Sequence, residues 1–362
     1  MKSMRIAGVG LVAACMLLFA SCAQAQEEAQ DDTFSEGIDT PCEVSYEIHA
    51  AALDAPFLAE GDAIAVIAPS ALPSDEQVDA TIEGLKAWGY APVEGKHVRE
   101  KGRTLQDCID DLTWALEDPS TKAIFCVRGG YGSSEVLDEM PLDLIASSNK
   151  LVIGYSDITV LHSAWTSAGL TSIHASMSAA FDDFPQECAD AEQGILQGKI
   201  PTYTCKGSDY DKEGHAEGIL IGGNLSTFTS VLGTAYDCTK TDRPYILFLE
   251  DIEEDIQHVH RYLAILKHLG VLDHASGIVF GEWVDVPTDM DDYDGSSRGG
   301  TFSSMADMIA RQYLNDLDVP VAFGFPAGHG DTNYPLLMGA KARLDVSADS
   351  FTLEWQVDAA AE

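Results

Sequence analysis

Basic residues are scarce in this chain. Lysine and arginine together number 21 against 59 aspartates and glutamates, a formal charge of −38 over 362 residues. A nucleic-acid partner needs cations to displace phosphate counterions, so DNA and RNA binding are excluded, and so is electrostatic docking on anionic lipid. The acid reads instead as a solvated surface. No two cysteines stand in C-x-x-C spacing, which argues against zinc and thioredoxin-type chemistry. No apolar run reaches the roughly 20 residues that a spanning helix needs. Internal repeats are absent. The dinucleotide fingerprint fails because Gly130-Tyr131-Gly132 is followed by Ser133, Ser134 and Glu135 with no third glycine, and no G-K-[ST] phosphate loop occurs. The acidic stretch VDVPTDMDDYDGSSRGG (284–300) fails as a calcium loop: counting back from Gly295 puts Met290 in the first ligand position, and the downstream Glu is missing. It reads as a surface insertion. No metal site and no cofactor are expected.

What is present begins with a leader. Lys2 and Arg5 precede a short apolar stretch, Ile6 to Ala20, the pattern of an export signal over residues 1–25. Two processing sites compete. Ala23-Gln24-Ala25 suits ordinary cleavage after Ala25, whereas Phe19-Ala20-Ser21-Cys22 resembles a lipoprotein box that would leave Cys22 lipidated. Either way the protein is expected to be exported, free in the cell envelope or lipid-anchored at the membrane. Residues 26–57, rich in acid and polar side chains, read as a tether. Six cysteines lie beyond the signal: Cys42, Cys108, Cys126, Cys188, Cys205 and Cys238. An oxidising compartment permits disulfides among them, but the pairing is not legible. Cys126, inside AIFCV, reads as a buried thiol.

The folded part starts near Leu58. GDAIAVIAP (61–69) is a buried strand, and SDEQVDATIEGLKAWGY (74–90) is an amphipathic helix capped by Ser74. A second helix spans 104–119 and stops at Pro119. KAIFCV (122–127), LVIGYS (151–156) and LTSIHA (170–175) are further strands. Strands alternating with helices indicate a parallel α/β sheet, assigned to an N-terminal domain over 58–185. A polar stretch, 186–215, reads as a linker. The region 216–362 then forms a second domain, with strands GILIGG, YILFLED and SGIVFGEW, the loop PVAFGFPAGHG (320–330), and a closing pair ARLDV and FTLEW.

Ser156 poses the functional question. It stands where the strand LVIG turns into a helix, the place at which α/β sheets bind ligands. Such a turn can hold up a nucleophile, yet the usual form is G-x-S-x-G, and the fifth position here is Ile158. On local pattern, Ser156 is either a helix N-cap or a nucleophile. The turn VRGGYGSSE (127–135) follows another strand and is either a tight βα turn or a glycine backbone open to a ligand. A serine nucleophile needs a base. His258 and His260, two apart on one helix, face different ways and make a poor metal pair; His162 reads as packing, and His174 as a pocket liner. His329 stands on a glycine-rich loop after an apolar strand. Glu250 ends the strand YILFLED, where it could orient a loop imidazole or serve a salt bridge or cap.

Taken together, several segments resemble the LD-carboxypeptidase family of serine peptidases, which also includes the microcin C self-immunity peptidases. They are GDAIAVIAPS, DDLTWALEDPSTKAIFCVRGGYGSSEVL, VIGYSDITVLH, EGILIGGNLSTFTSVLGT, ILFLEDIEEDIQHVHRYLAILKHLGVL and GFPAGHG…LLMGAKARLDV, in family order from about residue 60 to 356. The resemblance implies a triad of Ser156, Glu250 and His329, with the backbone N–H groups of Gly130 and Asp157 as the oxyanion hole. Gly129, Tyr131, His174 and Asn224 are the implied substrate-binding positions. It also implies a flavodoxin-like parallel-sheet domain followed by a swivelling β-rich α/β domain, an active site between them, and a homodimer. Where many members read HGP, this chain has His174-Ala175-Ser176, which bears on the pocket rather than the triad. The expected activity is removal of the terminal D-Ala from peptidoglycan tetrapeptides. The alternatives are an immunity-type peptidase cleaving an aminoacyl-nucleotide amide, and an inert exported protein that binds wall peptides.

Overall fold

The structure is a computed structural model that describes residues 42–48, 56–177, 184–286 and 303–356. Fourteen strands are found among these residues, in chain order β1 (Glu43–Ile48), β2 (Ala63–Ile67), β3 (Ala91–Glu94), β4 (Thr121–Cys126), β5 (Leu151–Gly154), β6 (Ser172–His174), β7 (Lys199–Lys206), β8 (Gly214–Asn224), β9 (Tyr245–Ile252), β10 (Ala275–Val284), β11 (Val321–Phe323), β12 (Leu336–Met338), β13 (Lys341–Val346) and β14 (Ser350–Trp355). They build two sheets. The first has the order β12-β6-β5-β4-β2-β3, with β3, β2, β4, β5 and β6 parallel and β12 antiparallel at its edge. The parallel part has the flavodoxin-like order, with the topological switch between β2 and β4. The second has the order β1-β7-β14-β13-β8-β9-β10-β11, of which β8 to β11 are parallel and the rest antiparallel. The α/β class expected from the strand–helix alternation is the one observed.

Local chemistry accounts for these elements. The helix Asp75–Ala87 starts at a capping box in which Ser74 and Gln77 satisfy each other's backbone N–H groups, and Leu105–Glu117 starts at the same device built from Thr104 and Asp107. The latter helix buries Cys108, Ile109, Leu112, Ala115 and Leu116 at helical spacing. Strand β4 is apolar and buried from Ala123 to Cys126, as a strand covered on both faces must be.

Two segments differ from the sequence reading. Part of the stretch read as a linker over 186–215 folds as a helix, Gln186–Leu196, followed by β7. Its buried positions Cys188, Ala191, Ile195 and Leu196 keep helical spacing, but interleaved acids and Gly194 masked it. In the stretch read as a tether, Glu43–Ile48 pairs antiparallel with β7, and Cys42 is joined to Cys205 by a disulfide across 163 residues of sequence. Cys108, Cys126, Cys188 and Cys238 are buried free thiols, as read for Cys126. Replacing Cys42 and Cys205 by serine should cost about 2–4 kcal/mol, because the crosslink removes loop entropy from the unfolded chain. A urea midpoint that falls, with a slope that rises as the unfolded chain expands, is the check. The export signal, Cys22, residues 26–41 and the acidic run 287–300 lie outside the described residues. Among the described residues no helix is long and apolar enough to cross a membrane.

Candidate active site

The chain leaves the buried strand β5 through Gly154 and an extended Tyr155, and then turns sharply. Ser156 takes φ 62, the left-handed region, and opens a single 3₁₀ turn, Ser156–Ile158, which leads into the helix Thr159–Ser167. A left-handed serine costs on the order of 1–3 kcal/mol and persists only where its surroundings hold it. Those surroundings are visible. Asp157 Oδ2 accepts from Ser70 Oγ at 2.7 Å and from the Ser133 amide at 2.9 Å, tying together the loops that follow β2, β4 and β5. Behind the turn, buried His162 hydrogen-bonds the Gly154 carbonyl through Nε2 and Ser172 Oγ through Nδ1, both at 2.9 Å. Burial depresses the His162 pKa to about 4 against the opposing bond to Gly154. The ring is therefore neutral: Nε2–H donates to the carbonyl and Nδ1 accepts from the hydroxyl. Ser156 is not an N-cap, since Tyr155 precedes the 3₁₀ turn, Ile158 precedes the helix, and no side chain caps either start.

The glycine turn after β4 lies against the serine. A Cβ at Gly129 would sit 2.9 Å from Ser156 Cβ, 3.1 Å from its Oγ and 3.4 Å from the Asp157 amide nitrogen. Only glycine permits that approach. Gly130 follows with φ 113, and Tyr131 projects outward, 72 % exposed, its hydroxyl donating to Glu135. Among the described residues, neither the Gly130 nor the Asp157 amide donates to a backbone carbonyl in a turn or loop. If Ser156 is the nucleophile that the family resemblance implies, Gly129→Ala should lower kcat/KM about 100-fold, since displacing a reacting group by about 1 Å has a cost of this order. Kinetics paired with a melting curve tests this: a loss of activity well beyond any loss of stability is expected.

The second sheet supplies the other half. Glu250 is wholly buried in β9, opposite Asn224 of β8. On its other side the register with β10 slips between Phe280 and Trp283, so that Gly281 and Glu282 share the place facing Glu250. Such a bulge re-aims side chains beside a site. The loop after β11 then brings in His329, whose Nδ1 lies 2.7 Å from Glu250 Oε2. A Cβ at Gly328, which has φ 132, would lie 2.7 Å from the same carboxylate oxygen, so the loop can close on Glu250 only through glycine. The Gly328 amide donates to Asn333 Oδ1 at 3.1 Å, the Glu282 amide donates to the Ala327 carbonyl, and the Tyr334 hydroxyl donates to Glu187 at 2.8 Å. Because a carboxylate only accepts, His329 holds its proton on Nδ1 and keeps Nε2 as the available base. Burial by itself would lower its pKa, but the charge and hydrogen bond of Glu250, with Asp251 and Glu253 adding, raise it above 6.5. The two halves meet at Tyr155, whose ring centroid lies 4.8 Å from that of His329.

Two carboxyls beside this pair, buried Asp251 and partly buried Glu282, were not legible in the sequence. Asp251 is raised to about 7, first by burial and then by the Glu250 charge, against hydrogen bonds from Ile252, Ser226 and Asn224. Glu282 is raised to about 7 by burial against a hydrogen bond from the Gly330 amide, with Asp331 and Glu250 adding. Glu282 stands at the end of an apolar strand just as Glu250 does, and that shared position was the signal available. Among the described residues no group of three or more His, Cys, Asp or Glu side chains is arranged to hold a metal ion.

The chain is similar to known proteins over both sheets. Residues 64–175 match the LD-carboxypeptidase N-terminal domain and residues 217–344 the LD-carboxypeptidase C-terminal domain. The chain belongs to the LD-carboxypeptidase family. It is an enzyme of serine-peptidase type. A probable murein peptide carboxypeptidase of Bacillus subtilis (strain 168) is 30% identical over 308 residues, covering 82% of this chain and 93% of that one. The microcin C7 self-immunity protein of Escherichia coli is 25% identical over 340 residues, covering 83% and 95%. The crystal structure of muramoyltetrapeptide carboxypeptidase from Oxalobacter formigenes superposes with a TM-score of 0.71 at 26% identity, covering 81% of this chain and 98% of that one.

The LD-carboxypeptidase residues expected from the sequence fall into three groups. Glu250 and His329 are in direct contact. Ser156 and Asp157, on the turn after β5, lie against Gly129 on the turn after β4, which continues through Gly130 to Tyr131 at its outer rim. The other two are set back. His174 is wholly buried in a ring cluster with Tyr155 and Phe248, and burial first, then neighbouring His162 and His329, push its pKa well below 6.5. Asn224 caps the helix Leu225–Val231, its Oδ1 accepting from the Thr227 amide at 3.1 Å and its Nδ2 donating to Asp251 at 2.8 Å.

Proposed function

We propose that this LD-carboxypeptidase removes the terminal D-Ala from peptidoglycan tetrapeptides, with Ser156 as nucleophile, His329 as general base and Glu250 as its partner. The observation that carries the reading is the 2.7 Å contact between buried Glu250 and His329 Nδ1, on a loop that meets the turn holding a left-handed Ser156. His329 Nε2 takes the Ser156 proton as Oγ attacks the carbonyl of the diamino acid at position three. The carbonyl electrons move to oxygen, and the amide N–H groups of Gly130 and Asp157 stabilise the oxyanion. Collapse expels D-Ala as its amine accepts the proton from His329, and water then releases the acyl group by the same steps in reverse order. The Glu250 carboxylate stabilises the imidazolium.

The test is incubation of the purified protein with a defined tetrapeptide, followed by mass spectrometry. Loss of one alanine is the expected result. An intact tetrapeptide, alongside cleavage of an aminoacyl-nucleotide amide, would move the protein to the immunity branch; binding without cleavage of either would make it a wall-peptide-binding protein. We also place the enzyme outside the inner membrane, a location supported by the Cys42–Cys205 disulfide, which persists in oxidising compartments. The mass of the mature N-terminus tests the anchor: a lipid-modified Cys22 supports it, and a free terminus after Ala25 refutes it.

A further inference from the structure

A carboxypeptidase must recognise a carboxylate one residue beyond the bond it cuts, and a carboxylate leaving water needs a cation with well-placed donors. Among the described residues, the second sheet sets acid around the candidate site. His329 there is surrounded by Glu250, Asp251 and Glu253, and Glu282 is accompanied by Asp331, so that side repels an anionic leaving group. Among the described residues, a cation is found instead on the side of the first sheet.

Arg128 is placed there. It opens the turn that continues through Gly129, against Ser156, and Gly130. Its Nη2 would lie 3.8 Å from a Cβ built on Gly130, so the guanidinium runs alongside the turn that brackets the serine. The turn lies at the switch between β2 and β4, the crevice where sheets of this order bind ligands. In a chain carrying 59 acidic residues, Arg128 forms no ion pair with any described carboxylate; its one polar contact among the described residues is a long 3.4 Å hydrogen bond from Nη1 to the Leu72 carbonyl. Three other arginines are paired with carboxylates. Arg99 meets Glu94, Asp79 and Asp75; Arg343 meets Asp345 and Glu354; Arg311 meets Asp307. Arg103, also on this side, is turned under the loop, with Nη2 donating to the Ser70 carbonyl at 2.6 Å. A guanidinium beside the nucleophile turn, paired with no described carboxylate, is what an incoming carboxylate requires.

We propose that Arg128 determines the enzyme's specificity for a free C-terminus, its fork of N–H donors binding the carboxylate of the leaving D-amino acid. The assignment rests on the carboxypeptidase reading of the site. Arginine suits the role because two parallel N–H donors match two carboxylate oxygens, a geometry that lysine lacks.

The experiment compares one tetrapeptide ending in a free D-Ala carboxylate with the same peptide ending in D-alanine amide, hydrolysed by the wild-type enzyme, Arg128→Gln and Arg128→Lys. The wild type should prefer the free acid about 100-fold in kcat/KM, the range of a charge-assisted hydrogen-bonded pair. Arg128→Gln should lose about that factor on the acid and keep the wild-type rate on the amide, so that the preference collapses; Arg128→Lys should recover part of it. Retained amide hydrolysis also reports that the variant is folded. Equal losses on both peptides would make Arg128 a structural residue of the turn and overturn the proposal, as would an unchanged preference in Arg128→Gln or no preference in the wild type. A wild-type enzyme inert on both peptides is a separate outcome: it overturns the carboxypeptidase reading and this assignment with it.

Discussion

Ser156→Ala should lose tetrapeptide hydrolysis by about 10⁴-fold or more in kcat, with its melting temperature unchanged or slightly higher. The magnitude reflects removal of the proposed nucleophile from a unit whose members act together. The stability reflects the backbone. Alanine at φ 62 carries the same strain as serine, and among the described residues no hydrogen bond from Ser156 Oγ holds the turn together. The bonds that do, from Ser70 and Ser133 to Asp157 and from His162 to Gly154, survive the substitution. Peptide binding should persist, so calorimetric titration of the variant with intact tetrapeptide should still show saturable binding. Wild-type turnover in Ser156→Ala would remove the serine from the chemistry.

Glu250→Gln should lower kcat by about 10³- to 10⁴-fold, because an amide no longer fixes the Nδ1–H tautomer and no longer stabilises the imidazolium. The pH profile separates this from simple misfolding. His329 acts as a base only when neutral, and its pKa is raised above 6.5, so wild-type kcat/KM should fall as pH drops through that raised value. Glutamine removes the charge and hydrogen bond that raise the pKa and leaves burial, which lowers it. The acid limb of the residual activity should therefore move to lower pH. A limb that stays in place would mean that another group sets it, with Glu282 and Asp251, both raised to about 7, the first to test by amide substitution.

Much of this site was legible in the sequence because its residues stand at strand ends. Apolar runs mark the parallel strands, and the residues just after each run fall at one edge of its sheet: the glycine turn after β4, Ser156 after β5, and His329 after β11. Ser156 itself was not decidable locally. Its left-handed backbone comes from three loops drawn together by Asp157 and from a buried histidine behind Gly154, contacts spread over 87 positions of sequence that no short motif records. Asn224 and His174 show the converse. Each has the chemistry of a pocket residue, yet one caps a helix and the other packs against Tyr155, because tertiary contacts consume their polar atoms or bury them. Glu282 was missed because a single bulge in β10 turns it toward the His329 loop, and one extra residue in a strand leaves little mark on apolar alternation. The disulfide could not be chosen from six cysteines, since its partners are brought together by the β1–β7 pairing.

The central claim is that Ser156 Oγ becomes acylated during turnover. Acid quenching of the wild-type enzyme in the steady state with tetrapeptide, followed by intact-protein and peptide mass spectrometry, tests it directly. The predicted result is a species heavier by the tetrapeptide less D-Ala, mapped to a fragment containing Ser156 and absent from Ser156→Ala. An adduct on any other residue would contradict the account. So would D-Ala release by Ser156→Ala at the wild-type rate.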